Sequence, residues 1–321
     1  MKKAAAVFGG GGFIGNAMVS RLKSEGYYVV AADLKQPEFS KSEADEFWVV
    51  DLRNYETVKA LVYQIDEVYQ FAADMGGAGY IFTGEHDADV MHNSASINLN
   101  VCNALKGTKT KVFYSSSACM YPQDIQHDAS CCGLKESYAY PANPDSEYGW
   151  EKLFSERLYK AYARNHGVDI RIARFHNIFG EKGTWNNGKE KFPAAISRKV
   201  AEAKDGDKIE VWGTGKQTRS FLYIDECIEG VRILMESDFK EPVNIGSDEM
   251  ISVNDLAEMV IGISGKDLSV VNVHSTAIGV AARNSDNEMI EEVLGWRPNQ
   301  PLKTGMEKLY SWIKCQVDGA C

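Results

Sequence analysis

The sequence predicts an α/β fold: a doubly wound parallel sheet followed by a smaller, partly discontinuous domain. Three observations carry this. Short apolar runs alternate with amphipathic stretches of helical period over the first 175 residues, the pattern of a parallel sheet with helices on both faces. A glycine cluster, Gly9-Gly10-Gly11-Gly12-Phe13-Ile14-Gly15, separates the first apolar run from the first helical stretch. Asp33 ends the second run, 18 residues past Gly15, where a doubly wound fold carries an acidic residue.

Taken in order, residues 4–8 read as a buried strand, 13–25 as an amphipathic helix and 28–32 as the second strand. A third strand spans 47–50 and ends at Asp51; 58–65 is helical, 67–71 a strand, 93–105 a long helix and 111–115 a strand. Residues 148–165 form a helix with apolar positions at 150, 153, 154, 158, 161 and 162, and 169–174 a further strand. Then the pattern changes. Gly, Asn and Lys crowd 180–191 into a loop, 193–203 is helical, and 218–223 and 243–245 are expected as short strands returning to the main sheet. Ser252 caps a helix to about residue 261, and 305–317 is a last amphipathic helix. The expected division is a dinucleotide-binding domain of residues 1–175, with about 213–245 returning, and a substrate domain of 176–212 and 246–321.

Composition narrows the function classes. The chain has 321 residues, 44% hydrophobic and 25% charged, ordinary values for a globular protein. A net charge of −10 argues against a general nucleic-acid or membrane-surface binder. An anionic ligand would need a local basic pocket. The apolar run after Met1-Lys2-Lys3 is too short for a signal peptide and stops at four glycines. No stretch approaches a membrane span. Seven cysteines, at 102, 119, 131, 132, 227, 315 and 321, lack framework or zinc spacing. Reduced thiols in a cytoplasm are the expectation, with no metal.

Gly9, Gly12 and Gly15 have the spacing of a pyrophosphate-binding turn, in which the backbone turns tightly and the helix N-terminus binds the phosphates. Phe13 and Ile14 lie within that turn. Asp33 would accept from a ribose 2′-hydroxyl and repel a 2′-phosphate, favouring NAD over NADP. Asp51 and Leu52 are candidates for an adenine contact or a plain turn. Ala72 suits a small-residue strand end under the cofactor.

Tyr148 and Lys152 sit at i and i+4, one above the other on a helix face. A nearby ammonium favours phenolate, so Tyr148 can accept a hydroxyl proton. Ser117 lies 31 residues before Tyr148, with Cys119 two residues beyond the serine. Redox chemistry alone has no use for Cys119. A free cysteine is usually a small buried hydrophobe, and the other six are read that way. Here a thiol beside Ser117 is better read as a second acid/base.

The glycine turn, Asp33, Ser117, Tyr148 and Lys152 together resemble the extended short-chain dehydrogenase/reductase superfamily along essentially the whole chain. More specific are Ala72-Ala73-Asp74-Met75-Gly76-Gly77, Ser116-Ser117-Ala118-Cys119-Met120-Tyr121-Pro122, Arg174-Phe175-His176-Asn177, Gly183-Thr184-Trp185, Glu190-Lys191, Gln217-Thr218-Arg219-Ser220-Phe221 and Arg283-Asn284-Ser285-Asp286-Asn287. Read together these are similar to the GDP-mannose 3,5-epimerase family. The resemblance implies that Tyr148, helped by Lys152 and Ser117, deprotonates the sugar C4 hydroxyl while hydride passes to NAD⁺. The 4-ketone acidifies the C3–H and C5–H bonds. Cys119 and Lys191 match the pair that removes and delivers those protons, towards GDP-L-galactose and GDP-L-gulose. For the GDP-sugar it implies contacts from Gly76, Gly77, Asn177, Glu190, Lys191, Lys199, Gln217, Arg219 and Arg283, with Lys199, Arg219 and Arg283 on the phosphates. His176 reads as a buried neighbour of Asn177, and Trp185 as either a sugar-stacking residue or loop packing. A homodimer through helices 93–105 and 148–165 is also implied.

The chain departs from that family at Val280-Ala281-Ala282, at 82–91 and at the insert 126–133. These departures leave open a 3,5- or 4-epimerase or dehydratase of another NDP-hexose. An Asp-Glu pair at 118–119 would mark a dehydratase and Thr at 119 a simple 4-epimerase; this chain has Ala118-Cys119. A non-catalytic NAD-binding regulatory protein is the reading from another class. It would have no need of intact Ser117, Tyr148 and Lys152.

Overall fold

In the computed structural model the described residues are 2–128, 133–274 and 279–320. Seven parallel strands form the central sheet, in the order Val243–Ile245, Asp169–Phe175, Lys111–Ser117, Glu67–Gln70, Ala4–Phe8, Tyr28–Asp33, Glu46–Val49. The strands nearest the middle are buried along nearly their whole length, as a sheet covered on both faces requires. Helices Phe13–Ser24 and Ile224–Glu236 cover one face, with Met18, Leu22, Val231 and Leu234 in its core. The other core gathers Val58, Leu61, Val101, Leu105 and Tyr159 from helices Tyr55–Leu61, Asp87–Ala104 and Glu147–His166 and their connections.

Beyond the sheet, helices Phe192–Glu202, Val253–Ser264 and Leu302–Asp318 pack on one another. A parallel pair, Lys208–Trp212 with Ser269–Val273, adjoins them. Strand Thr218–Ser220 does not return to the main sheet as expected. It sits between Met250–Ser252, antiparallel, and Ala282–Arg283, parallel. Leu222–Tyr223 pairs with Ile178–Phe179. Return to the central sheet is made by Val243–Ile245 alone, against Ala173–Phe175. The long helix begins at Asp87, six residues before the expected 93. Lys208–Trp212, Ile224–Glu236 and Ser269–Val273 were not foreseen in the sequence.

The helix Glu147–His166 holds the surprise. Ser146 caps it, accepting from Gly149 N at 3.3 Å. Its inward face is largely polar: Glu151, Lys152, Ser155 and Glu156 are buried alongside Tyr148, Leu153 and Tyr159. Trp150 and Phe154, expected on the apolar face, are 39% and 46% exposed. Buried charge persists only where it is partnered. Glu156 Oε1 accepts from Arg174 Nη2 at 2.7 Å. Glu151 Oε1 accepts from Ser155 Oγ at 2.6 Å and Asn98 Nδ2 at 3.1 Å. Arg174, Tyr121, Asn244, His176 and Glu136 continue this polar frame behind the sheet's carboxyl edge.

Candidate active site

At the glycine turn the backbone closes on itself. Gly9, with φ of 81°, and Gly10 both donate to Ala32 O, at 2.9 and 3.2 Å. A Cβ on Gly15 would lie 2.1 Å from Gly9 O, and one on Gly9 2.8 Å from Ala72 N. No side chain caps the helix that starts at Phe13, so its first amides remain to meet an anion. Asp33 Oδ2 accepts from Gly11 N at 3.0 Å and Oδ1 from Leu34 N at 2.6 Å. Burial raises its carboxyl pKa, against those backbone donors. Uncapped amides, a cradle that admits only glycine and a fixed carboxylate at the second strand's end fit a dinucleotide. Asp51 sits in the turn that was one of its two expected readings, its Oδ1 accepting from Arg53 N at 2.9 Å. Arg53 binds both its oxygens, with Nη2 at 2.6 Å, and lowers its pKa. Leu52 is buried, and its carbonyl accepts from Asn100 Nδ2 at 3.1 Å.

Strand Lys111–Ser117 ends in a short turn in which Ser117 Oγ accepts from Cys119 N at 3.2 Å. This delivers Ser117 and Cys119 to the first turn of the Glu147–His166 helix. There a Cβ on Gly149 would lie 2.2 Å from Cys119 O, so glycine is what allows this approach. Tyr148 and Cys119 share one small apolar cluster with Ile81, Val90, Tyr80 and Phe82. Lys152 is buried, donates to Ser115 O at 2.9 Å and stands 5.6 Å from the Tyr148 ring centre. The expected lowering of the phenol by Lys152 is not what the environment does. Desolvation raises the Tyr148 pKa well above its usual value and Cys119 adds to this, while Ser117 and Arg283 pull against it. Lys152 itself is pushed down by burial.

Cys119 is a free thiol. Its partner was not foreseen: Arg283 Nη1 donates to Sγ at 3.0 Å. The other arms of that guanidinium reach Gln126 Oε1 at 2.8 Å and Asp145 Oδ2 at 2.6 Å. Arg283 is therefore engaged by the thiol, where the sequence reading put it on a phosphate. Lys191 caps the helix Phe192–Glu202 and is open to solvent. Desolvation nonetheless lowers its ammonium pKa, and Cys119 opposes the shift. Lys152 also feels Lys191 and Cys119. Ser117, Cys119, Tyr148, Lys152 and Lys191 thus converge from three distant segments.

The remaining expected contacts are less uniform. Gly77 N donates to Lys189 O at 3.0 Å, and a Cβ there would lie 2.4 Å from Glu190 O. That glycine brings its loop against Glu190 and so against Lys191. Gly76 faces the Tyr80 ring in the same way. Glu190 accepts from Gly188 N at 2.6 Å and Arg198 Nη2 at 3.2 Å. Asn177 has φ of 45° and donates to Ser220 O at 2.9 Å. Lys199, expected on a phosphate, donates to Glu210 O at 2.7 Å. Gln217 Oε1 is buried without a partner. Arg219 pairs in register with Arg283 and donates to Thr218 O and Val280 O at 2.8 and 2.7 Å. Burial, with Arg283 beside it, pushes Arg219 down to about 10. Trp185 packs in the main core. His176 Nε2 meets Asn244 Oδ1 at 3.0 Å. Cys315 departs from the reduced-thiol expectation, being disulfide-bonded, while Cys102 and Cys227 are free and buried. Cys131, Cys132 and Cys321 lie outside the described residues.

Asp145, Gln126, Glu151 and Asn98 were missed. Only Asp145 left a signal, three residues before Tyr148 in the loop that starts the helix.

Known proteins agree with this geometry. The chain is 47% identical over 317 residues to GDP-mannose 3,5-epimerase of Arabidopsis thaliana, covering 98% of this chain and 82% of that one. It is 45% identical to GDP-mannose 3,5-epimerase 1 of Oryza sativa subsp. indica with the same coverage. Among solved structures, UDP-glucose 4-epimerase with UDP-glucose from Thermotoga maritima superposes with a TM-score of 0.87 at 22% identity, covering 98% and 99% of the two chains. UDP-glucuronic acid 4-epimerase from Bacillus cereus in complex with UDP-glucuronic acid and NAD gives a TM-score of 0.83 at 26% identity, again covering 98% and 99%. Residues 5–246 match the NAD dependent epimerase/dehydratase family. With that match spanning both the glycine turn and the Tyr148–Lys152 pair, the chain belongs to the NAD-dependent epimerase/dehydratase family, and its cofactor is NAD.

Proposed function

We propose that this enzyme epimerises GDP-mannose at C3 and C5 through a transient 4-keto sugar, giving GDP-L-galactose and GDP-L-gulose. The observation that carries the reading is Cys119 standing against Tyr148 in one cluster, a second acid/base where oxidation and reduction at C4 need only one. The relatives named GDP-mannose 3,5-epimerase, 45–47% identical to this chain, support the choice of sugar and base. NAD held at Gly9, Gly12, Phe13, Ile14, Gly15 and Asp33, with Ala72 beneath, would supply the hydride acceptor and donor.

The rest falls to the chain. Tyr148 takes the C4 hydroxyl proton and later returns it. Its high pKa in the buried site makes it a strong base once ionised, and Ser117 bonds the phenolate. Lys152, buried beside it, orients the ring and supplies positive charge. The ketone acidifies the C–H bonds on either side. Lys191, with its pKa lowered, has an accessible neutral amine that can take a proton. Cys119 gives one from its thiol, and Arg283 bonds the sulfur left behind. Arg219, Asn177, Gln217, Lys199, Glu190, Gly76 and Gly77 remain the candidate contacts to the GDP-sugar.

The enzyme is further proposed to act as a homodimer in the cytoplasm. Leu99, Trp150 and Phe154, 43%, 39% and 46% exposed, give helices Asp87–Ala104 and Glu147–His166 an outward apolar stripe suited to a second copy. A reducing compartment keeps Cys119 as a working thiol, although the bond at Cys315 runs the other way. Among the described residues no helix is long and apolar enough to cross a membrane.

The test is isotope exchange. GDP-mannose incubated with enzyme in D₂O should gain deuterium at C3 and C5 by NMR. Absence of exchange at both carbons, with GDP-mannose shown to bind, sinks the reading.

A further inference from the structure

We propose that Asp145 is a positioning residue for the Cys119 step, its carboxylate acting through the Arg283 guanidinium to keep the sulfur usable as thiol and thiolate alike. The inference rests on the reading of Cys119 as an acid/base. An acid/base must exist in both states. Yet the charged groups facing this sulfur are mostly cations. Lys152 and Tyr148 reach it from the Glu147–His166 helix, Lys191 from the loop before Phe192–Glu202, and Arg219 and Arg283 from adjacent strands. Arg283 is closest, 3.0 Å from Sγ. Four positive side chains around one half-buried sulfur favour its anion over the thiol unless something offsets them.

Asp145 is the counterweight. Its carboxylate lies 2.6 Å from Arg283 Nη2, and the two side chains are 5% and 6% exposed. In such a setting the pair is nearly neutral as seen from the sulfur. The geometry also fixes the fork. Gln126, fully buried, accepts Nε at 2.8 Å and anchors itself to Tyr121 O and Pro122 O. Its own carbonyl receives Ala281 N and Ala282 N. Nη1 is left with one direction, the thiol. Asp145 sits one residue before the cap of the Tyr148 helix, so one contact ties strand Ala282–Arg283 to the start of that helix.

The experiment is alkylation of Cys119 by iodoacetamide at pH 7 in the full chain, followed on the Cys119 peptide by mass spectrometry. Asp145→Asn still accepts from Nη2 but no longer offsets the charge, so the rate should rise at least about threefold, the sign of a more populated thiolate. Asp145→Glu should restore the wild-type rate. In an Arg283→Gln background the Asp145→Asn change should leave the rate unaltered, because the effect runs through the guanidinium. Equal rates for wild type and Asp145→Asn, or an equal rise in both backgrounds, overturn the proposal. Should Asp145→Asn fail to fold, Arg283→Gln alone decides. It removes the cation that bonds the sulfur and should slow alkylation at least about threefold; an unchanged rate refutes the inference. Alkylation needs no sugar, so these outcomes stand whatever the D₂O exchange reveals about the substrate.

Discussion

Tyr148 and Lys191 flank one thiol under opposite physical regimes. Tyr148 is packed in an apolar cluster on a capped helix, and burial drives its pKa up. Lys191 stands at the mouth of a loop, open to solvent, and desolvation drives its pKa down. The first is a weak acid waiting to become a strong base. The second is a base whose proton desolvation loosens. One half of the site is preset by rigid packing, and the other is left for a substrate to fill. On the proposed mechanism, the chemistry at C4 falls to the rigid half. The same mechanism gives the inversion of the neighbouring carbons to the open half.

The largest effect should come from breaking the rigid half. Tyr148→Phe keeps the packing and removes the proton acceptor, so turnover of GDP-mannose should fall by about 10³-fold or more, within the range of general base loss. Deuterium exchange at C3 and C5 should fall with it, since no ketone forms. Exchange persisting in Tyr148→Phe would uncouple the halves and overturn this comparison.

Cys119→Ala strikes between them. Exchange at C3 or C5 should drop by about 10²-fold or more, while a single-turnover absorbance change at 340 nm on adding GDP-mannose survives. Equal loss of both signals would make Cys119 a structural residue.

How much of this was legible follows from the same division. The glycine turn, Asp33 and the Tyr148–Lys152 pair are local spacings on one turn, one strand end and one helix face, so sequence alone exposes them. Cys119 is two residues from Ser117 and was legible for the same reason. Lys191 was found only through resemblance, since a lysine in a Gly- and Asn-rich loop has no periodic signal. Arg283 is held in a three-way clamp whose members lie 157, 164 and 138 residues away. No sequence pattern marks such a contact. The fold divides likewise: central strands stand out as apolar runs, whereas Thr218–Ser220 went to a small sheet because its partners, Met250–Ser252 and Ala282–Arg283, come later in the chain. The buried polar face of the Tyr148 helix was read outward because Glu151 and Glu156 look like solvent residues until Asn98, Ser155 and Arg174 are set beside them.

The cofactor end offers a smaller change. Asp33→Asn keeps one carbonyl oxygen for Gly11 N or Leu34 N and loses the second acceptor along with the charge. NAD affinity by calorimetry should weaken by about 1–2 kcal/mol, the scale of a hydrogen bond to a charged group, and discrimination against NADP should shrink. An unchanged NAD/NADP ratio would remove Asp33 from the ribose site.

The mildest probe tests whether the rigid half owes its rigidity to the frame behind it. His176 is fully buried and its pKa is pushed down to about 3, chiefly by desolvation and also by Arg283 and Arg174, against its hydrogen bond to Asn244 Oδ1. The folded-state value is depressed below the unfolded one of about 6.5, so the unfolded chain binds a proton that the folded chain refuses. Stability carried by neutral His176 is complete above pH 6.5 and drains as pH falls towards 3, by up to about 1.4 kcal/mol per pH unit. Between pH 6.5 and 5, where carboxylates contribute little, Tm should therefore slope downward in the wild type. His176→Gln, which cannot take up a proton, should flatten that slope even if it lowers Tm throughout. Parallel slopes in the two proteins would show that the frame does not set the acid limit of the Tyr148 half, and that its rigidity comes from packing alone.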